Sequence, residues 1–175
     1  MDRFTAQLIE LCAAHPTRAK WVFVPTHAVG RTLGDRLVLA GTNWANLRFV
    51  TPMDVALRMG APFLVERGID PSEEGLGPAL IMRLLLALPQ EGGYFRPLAE
   101  QPQMAIAIWT TVRELRMAGV RAADLHGGAF ASPEKYEEFR RLLASYEQFL
   151  EDTRRGDAAT VLEEARQHLD WCPIQ

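Results

Sequence analysis

Two short runs of strand-forming residues, Trp21–Val24 (WVFV) and NLRFV at 46–50, are separated by room for a single helix. Nothing else in the chain reads as strand. A strand, one helix and a second strand form a crossover unit, and such connections are right-handed and make the strands parallel. The first run is apolar throughout, which predicts a strand buried on both faces. A lone parallel pair has two open edges and two faces to cover. The simplest expectation is therefore the front part of a larger α/β protein, in which the last residues, DWCPIQ, lead into a further strand. A self-contained domain with a minimal sheet is the alternative.

Helical spacing accounts for most of the rest. Phe4, Leu8, Leu11 and Cys12 mark a helix over 2–14, stopped by His15-Pro16. Val29, Leu33, Leu37 and Ala40 mark a second over 27–40, with Gly41 as its stop. Thr51-Pro52-Met53-Asp54 opens a third, with Thr as N-cap, Pro at the first helical position and an acid at the third. Residues 62–76, carrying Pro62, Gly68, Pro71 and Gly75, read as loop. Pro78–Leu88 is apolar nearly all round and predicts a central helix stopped by Pro89.

Met104, Ile108, Val112 and Leu115 stripe a helix over 101–118 that Gly119 ends, and a short piece follows near 121–126. Ser132-Pro133 opens a helix to about residue 150 with Tyr136, Phe139, Leu143, Tyr146 and Leu150 on one face. Asp157 caps a last helix striped by Ala158, Val161, Leu162, Ala165 and Leu169. The expected fold class is α/β: a small parallel sheet in a β-α-β unit over residues 1–60, then a mostly helical subdomain over 61–175.

Charge narrows the function classes. The 175 residues carry a net charge of -3, so no global field draws the chain to nucleic acid or to an anionic bilayer. A local basic patch is still compatible with that balance. The longest apolar stretch, interrupted by Arg83, is well short of the ~18–20 residues of a membrane span. Cys12 and Cys172 lie near opposite ends with no C-x-x-C, as expected of reduced thiols in the cytoplasm. The N-terminus has no basic segment followed by an apolar one, so no signal peptide is expected.

The segment after the first strand imitates a phosphate-binding loop. Pro25, four residues, then Gly30-Arg31-Thr32 copies the spacing of G-x-x-x-x-G-K-[ST]. A working loop points successive backbone N–H groups at phosphate, and Pro25 has none. Arg31 in place of lysine keeps the charge but not the compact ammonium. Nucleotide hydrolysis is therefore not expected here.

A different pattern fits better. The chain resembles superfamily 1 DNA helicases, in which the strand after the phosphate-loop helix ends in T-F-T-N-x-A-A-x-E-M-x-x-R-[IL], a motif whose loop touches single-stranded DNA. Thr26-His27 stands at its Thr-Asn, Leu33 at its Met, and Asp35-Arg36-Leu37 at its acid-Arg-apolar trio. NLRFVTPMDVALRMG resembles the second strand and its Thr-led loop, with Thr51 as the matching Thr. The tract running through YFRPLAEQP, TVRELRMAGV, the 135–150 helix and DAATVLEEA is similar to the helical subdomain of AddB/RexB-type proteins. Those are inactivated-helicase subunits of bacterial helicase–nuclease complexes that process DNA ends.

The resemblance covers nearly the whole chain. It implies an N-terminal, ATPase-inactive helicase-like domain, a P-loop-NTPase-like fragment serving double-strand break repair and recombination. It also implies an AddA-like partner subunit and a parent protein with a PD-(D/E)xK exonuclease domain. The family's first strand, its phosphate loop and its magnesium-binding Asp-Glu pair have no counterpart here.

By the same resemblance, Thr26, His27, Arg31 and Thr51 are the candidate contacts to single-stranded or end DNA. A hydroxyl, an imidazole and a guanidinium are all competent donors to phosphate. Each also has a plain structural reading: Thr26 and Thr51 as helix caps, His27 and Arg31 as a solvated first turn. Trp44, Tyr94 and Trp109 are candidates for base stacking or for packing. Arg113 and Arg116, and the pairs Arg140-Arg141 and Arg154-Arg155, read as solvated helix faces among acids or as a channel lining. His126 and His168 stand without a nucleophile or ligand partner at a telling spacing. No catalytic pair, cofactor motif or metal cluster is legible, so no catalytic, cofactor-binding or metal-binding residue is expected. A helical protein–protein interaction module without DNA binding is the alternative function.

Overall fold

The computed structural model describes residues 2–88 and 93–174. It is mostly helical, with one two-stranded parallel sheet. The elements, in chain order, are α1 (Arg3–Ala14), β1 (Lys20–Phe23), α2 (His27–Leu39), β2 (Leu47–Val50), α3 (Pro52–Glu66), α4 (Pro78–Leu86), α5 (Pro102–Met117), α6 (Pro133–Asp152) and α7 (Ala158–Gln167). Short 3-10 turns lie at Arg96–Leu98, Ala122–Asp124, Gly127–Ala129 and Leu169–Trp171. Contacts divide the chain into two compact units. One runs to Met59 and takes in the tail from His168; the other is Gly60–Gln167.

The first unit is built on the register of its strands. Lys20 pairs with Leu47, Trp21 with Arg48, Val22 with Phe49 and Phe23 with Val50. The Lys20 and Val24 N–H groups donate to the carbonyls of Asn46 and Val50. Because side chains alternate, Lys20, Val22, Leu47 and Phe49 share one face while Trp21, Phe23, Arg48 and Val50 share the other. Leu8 and Cys12 of α1 and Leu33 and Leu37 of α2 cover the first face. Phe23, on the second face, is 54% exposed, and Arg48 is exposed beside it. The expected burial on both faces therefore holds only in part: Val50 on the second face is buried and Trp21 half-buried, but Phe23 and Arg48 are open. An apolar run does not reveal how many layers are present to cover it.

Local chemistry fixes the ends of these helices. The Asp2 carboxylate caps α1 by accepting from the Thr5 N–H and hydroxyl, and Arg36 of α2 donates to it at 2.7 Å. Lys20 is buried at the other end of α1, where its ammonium donates to the carbonyls of His15 and Arg18. A cation there also suits the negative end of the helix dipole.

The second unit packs α4, α5 and α6 around Ile81, Leu85, Ile108, Val112, Phe139, Leu143 and Tyr146. The Trp109 ring meets Tyr146 edge-on at 5.8 Å, so this indole is half-buried packing. The buried Glu138 carboxylate accepts from the Phe95 N–H at 2.7 Å. Helix α4 ends at Leu86, two residues earlier than expected; its proposed stop, Pro89, lies outside the described residues.

The loop expected from residue 62 is a correction. Helix α3 continues through Pro62 to Glu66. Pro62 removes one backbone bond, but fully buried Leu64 lies on the far side of it, so packing outweighs the local penalty. Gly60 shows how closely this part of α3 meets α7. A Cβ at that position would lie 2.9 Å from both the Val161 carbonyl oxygen and the Ala165 nitrogen.

Arg116 is a further correction to the solvated-face reading. Its guanidinium donates to both carboxylate oxygens of Asp157, at 3.0 and 3.3 Å, and lies 3.7 Å from Glu147. Asp157 in turn accepts from the Thr160 N–H and hydroxyl, capping α7, and from the Tyr146 hydroxyl at 3.4 Å. Burial pushes the Asp157 carboxyl up, but the Arg116 hydrogen bond and charge, with Thr160, more than reverse this. The group titrates below the ordinary aspartate range. Burial, with the Asp157 charge, raises the Tyr146 phenol.

A depressed carboxylate stabilises the fold above its unfolded pKa and loses that contribution as pH falls through the folded one. Stability of this unit is therefore flat near neutrality and falls below about pH 4. Asp157→Ala should cost about 3 kcal/mol, since it strands a largely buried guanidinium, and should flatten the acid limb in urea titrations.

Helix α6 ends on a left-handed residue, Arg154, at φ 53°. The Arg155 N–H returns to the Leu150 carbonyl and the Arg154 N–H to that of Glu151. Glycine fills the equivalent place after α3 and α5, at Gly68 and Gly119. Arg154→Gly should therefore raise stability by about 0.5–1 kcal/mol, read as a higher urea midpoint at unchanged slope.

Candidate functional site

The parallel register brings the loops after β1 and β2 to the same end of the sheet, the end where ligands of open α/β sheets bind. Thr26 ends the first loop with extended backbone, and its hydroxyl accepts from the Val29 N–H at 3.4 Å, capping α2. Thr51 ends the second. Its hydroxyl accepts from the Asp54 N–H at 3.2 Å, while the Asp54 carboxylate accepts from the Thr51 N–H at 2.7 Å. This reciprocal pair is a capping box, as the Thr-Pro-Met-Asp sequence predicts.

His27 and Asp54 join the loops. The imidazole Nε2 lies 3.4 Å from the Asp54 carboxylate, with the ring largely exposed. The Thr51 N–H holds the Asp54 carboxyl below its ordinary range against a smaller opposing effect of burial; the Thr51 hydroxyl, His27 and Arg58 add to the lowering. Arg31, one turn into α2, is exposed and makes no ion pair among the described residues.

The four candidate residues thus lie on the two adjoining loops and the helix starts that follow them. Both threonine hydroxyls are engaged as caps, though each oxygen keeps the ability to donate. Exposed donors come from His27 and Arg31. They lie beside the Asp54 carboxylate, which is held by Thr51 and His27. The site has no nucleophile paired with a base, and the described residues hold no cluster of three metal-ligating side chains.

The remaining aromatic candidates divide. Trp44, in the loop before β2, is 37% exposed. Tyr94 is exposed, but Lys135 lies over its ring at 5.4 Å. Among the arginine candidates, Arg140 pairs with Glu137 at 3.2 Å, and Arg155 donates to the Glu74 carbonyl.

Sequence reasoning missed Trp21, Phe23, Arg48 and Arg58. The guanidiniums of Arg48 and Arg58 lie 5.3 and 5.5 Å from the centre of the Trp21 ring. One signal was available: a charged residue inside the second run means that one face of the sheet is open to water.

No family model matches the chain, and no curated protein matches it. No helix of the described residues is long and apolar enough to cross a membrane.

Thr51→Ala removes half of the capping box at the edge of this site. It should cost about 1 kcal/mol and speed amide exchange in the first turn of α3, including Asp54, while leaving α7 unchanged.

Proposed function

We propose that this chain is an ATPase-inactive, helicase-like domain of the AddB/RexB type, a P-loop-NTPase-like fragment that contacts DNA during end processing in double-strand break repair. The observation that carries the reading is the juxtaposition of Thr26, His27 and Arg31 with Thr51 at the end of a parallel pair of strands, through the His27–Asp54 contact at 3.4 Å. That is the arrangement expected where a strand-end loop meets a phosphate backbone. Pro25 stands where a phosphate loop needs its first glycine, which fits a structural and DNA-contacting role rather than nucleotide hydrolysis.

In this reading the domain works in the cytoplasm beside an AddA-like helicase–nuclease subunit, and the exonuclease chemistry belongs to the parent protein. Val38 and Leu39, at the C-terminal end of α2, are 65% and 87% exposed and offer apolar surface for such a partner.

Fluorescence anisotropy with a labelled single-stranded oligonucleotide tests the reading. Binding should appear at low salt and weaken as salt rises, because phosphate contacts release counter-ions. Arg31→Ala should weaken it about threefold to tenfold. A thermal shift with ATP and magnesium, or no DNA binding at 50 mM salt, would refute it.

A further inference from the structure

We infer that the open face of the two-stranded sheet is a binding platform for single-stranded nucleic acid, formed by Trp21, Phe23, Arg48 and Arg58. The inference rests on the DNA-contacting reading above and deepens it, by adding a second surface and by specifying unpaired strands.

The argument begins with charge. Arg48 on β2 and Arg58 on α3 both place a guanidinium against one indole, at 5.3 and 5.5 Å from its centre. Among the described residues neither makes a salt bridge or a side-chain hydrogen bond; Asp54, one turn before Arg58, is hydrogen-bonded by Thr51 and lies 3.4 Å from His27, and it attracts Arg58 only through space. A phosphate that approaches this indole meets two positive charges, one from each element. Arginine suits phosphate in particular, because its planar fork binds two oxygens at once.

The second observation is Phe23. It lies two residues along β1 from Trp21 on the same face, about 6.6 Å away along the strand, with 54% of its surface exposed. An exposed ring on the sheet face that also carries two guanidiniums over an indole makes a stacking platform with phosphate clamps. Phe23 also lies at the strand end that leads into Thr26 and His27, and Arg58 follows Asp54 by one turn of α3. A strand of nucleic acid crossing the loops would continue onto this face. A duplex keeps its bases stacked inside and cannot offer one to Phe23.

The test uses the full 175-residue chain. Fluorescein-labelled dT15 and a duplex of equal length are titrated by anisotropy at several salt concentrations. The variants are Arg48→Ser with Arg58→Ser, Phe23→Leu and Arg31→Ala, each checked for native circular dichroism. The double arginine variant should weaken dT15 at least tenfold and reduce the salt slope by about 1.4, the loss of two single-strand phosphate contacts. Phe23→Leu, which keeps an apolar side chain, should weaken dT15 about tenfold and leave the slope unchanged.

If Arg31→Ala weakens dT15 while both face variants bind normally, the platform is refuted and the loop reading stands. If the face variants weaken it and Arg31→Ala does not, the platform stands and the loop reading falls. Equal affinity for the duplex refutes the single-strand preference. Self-association that is lost on Phe23→Leu, without dT15 binding, would make this face a protein-docking surface and overturn the inference.

Discussion

The parallel pairing of β1 with β2 is the constraint on which the first unit depends. Four register pairs fix which side chains face α1 and α2 and which do not. They also carry the two following loops to one end of the sheet, so that His27 and Asp54 meet although they come from separate connections. A slip of β1 by one residue would turn Val22 away from the helices and set Trp21 among them. The site and the open face are therefore two results of a single register.

Helix ends and periodic stripes were legible in the sequence. Thr26, Thr51, Ser132 and Asp157 each cap the helix that follows, because a short polar side chain before an apolar stripe has one obvious use. The parallel pair was also legible, since one helix between two strand-like runs permits little else. Exposure was not. WVFV looks equally apolar whether one face or two is covered, and only the count of packed layers distinguishes the cases. Pro62 misled for a related reason: the rule that proline breaks a helix is local, whereas the full burial of Leu64 is set by the fold.

Of the site, the sequence supplied the residues but not their engagement. Thr26 and Thr51 are at once caps and candidate contacts, so the structural and functional readings are not exclusive. The arginines show the same point in reverse. Arg116 looked solvated because acids such as Glu114 stand among the helix arginines, yet its partner, Asp157, is far away in sequence. The charge of Arg48 inside the second strand signals an open face, but nothing in the local sequence of Arg48 or Arg58 shows that both guanidiniums meet one indole.

The two ammonium groups of the chain have unlike fates. Lys20 is enclosed, with its nitrogen held by the carbonyls of His15 and Arg18, whereas Lys135 rests half-buried over a tyrosine ring near the start of α6. Amine-directed reagents thus meet a single accessible lysine side chain, one addressable position for a dye or a surface tether.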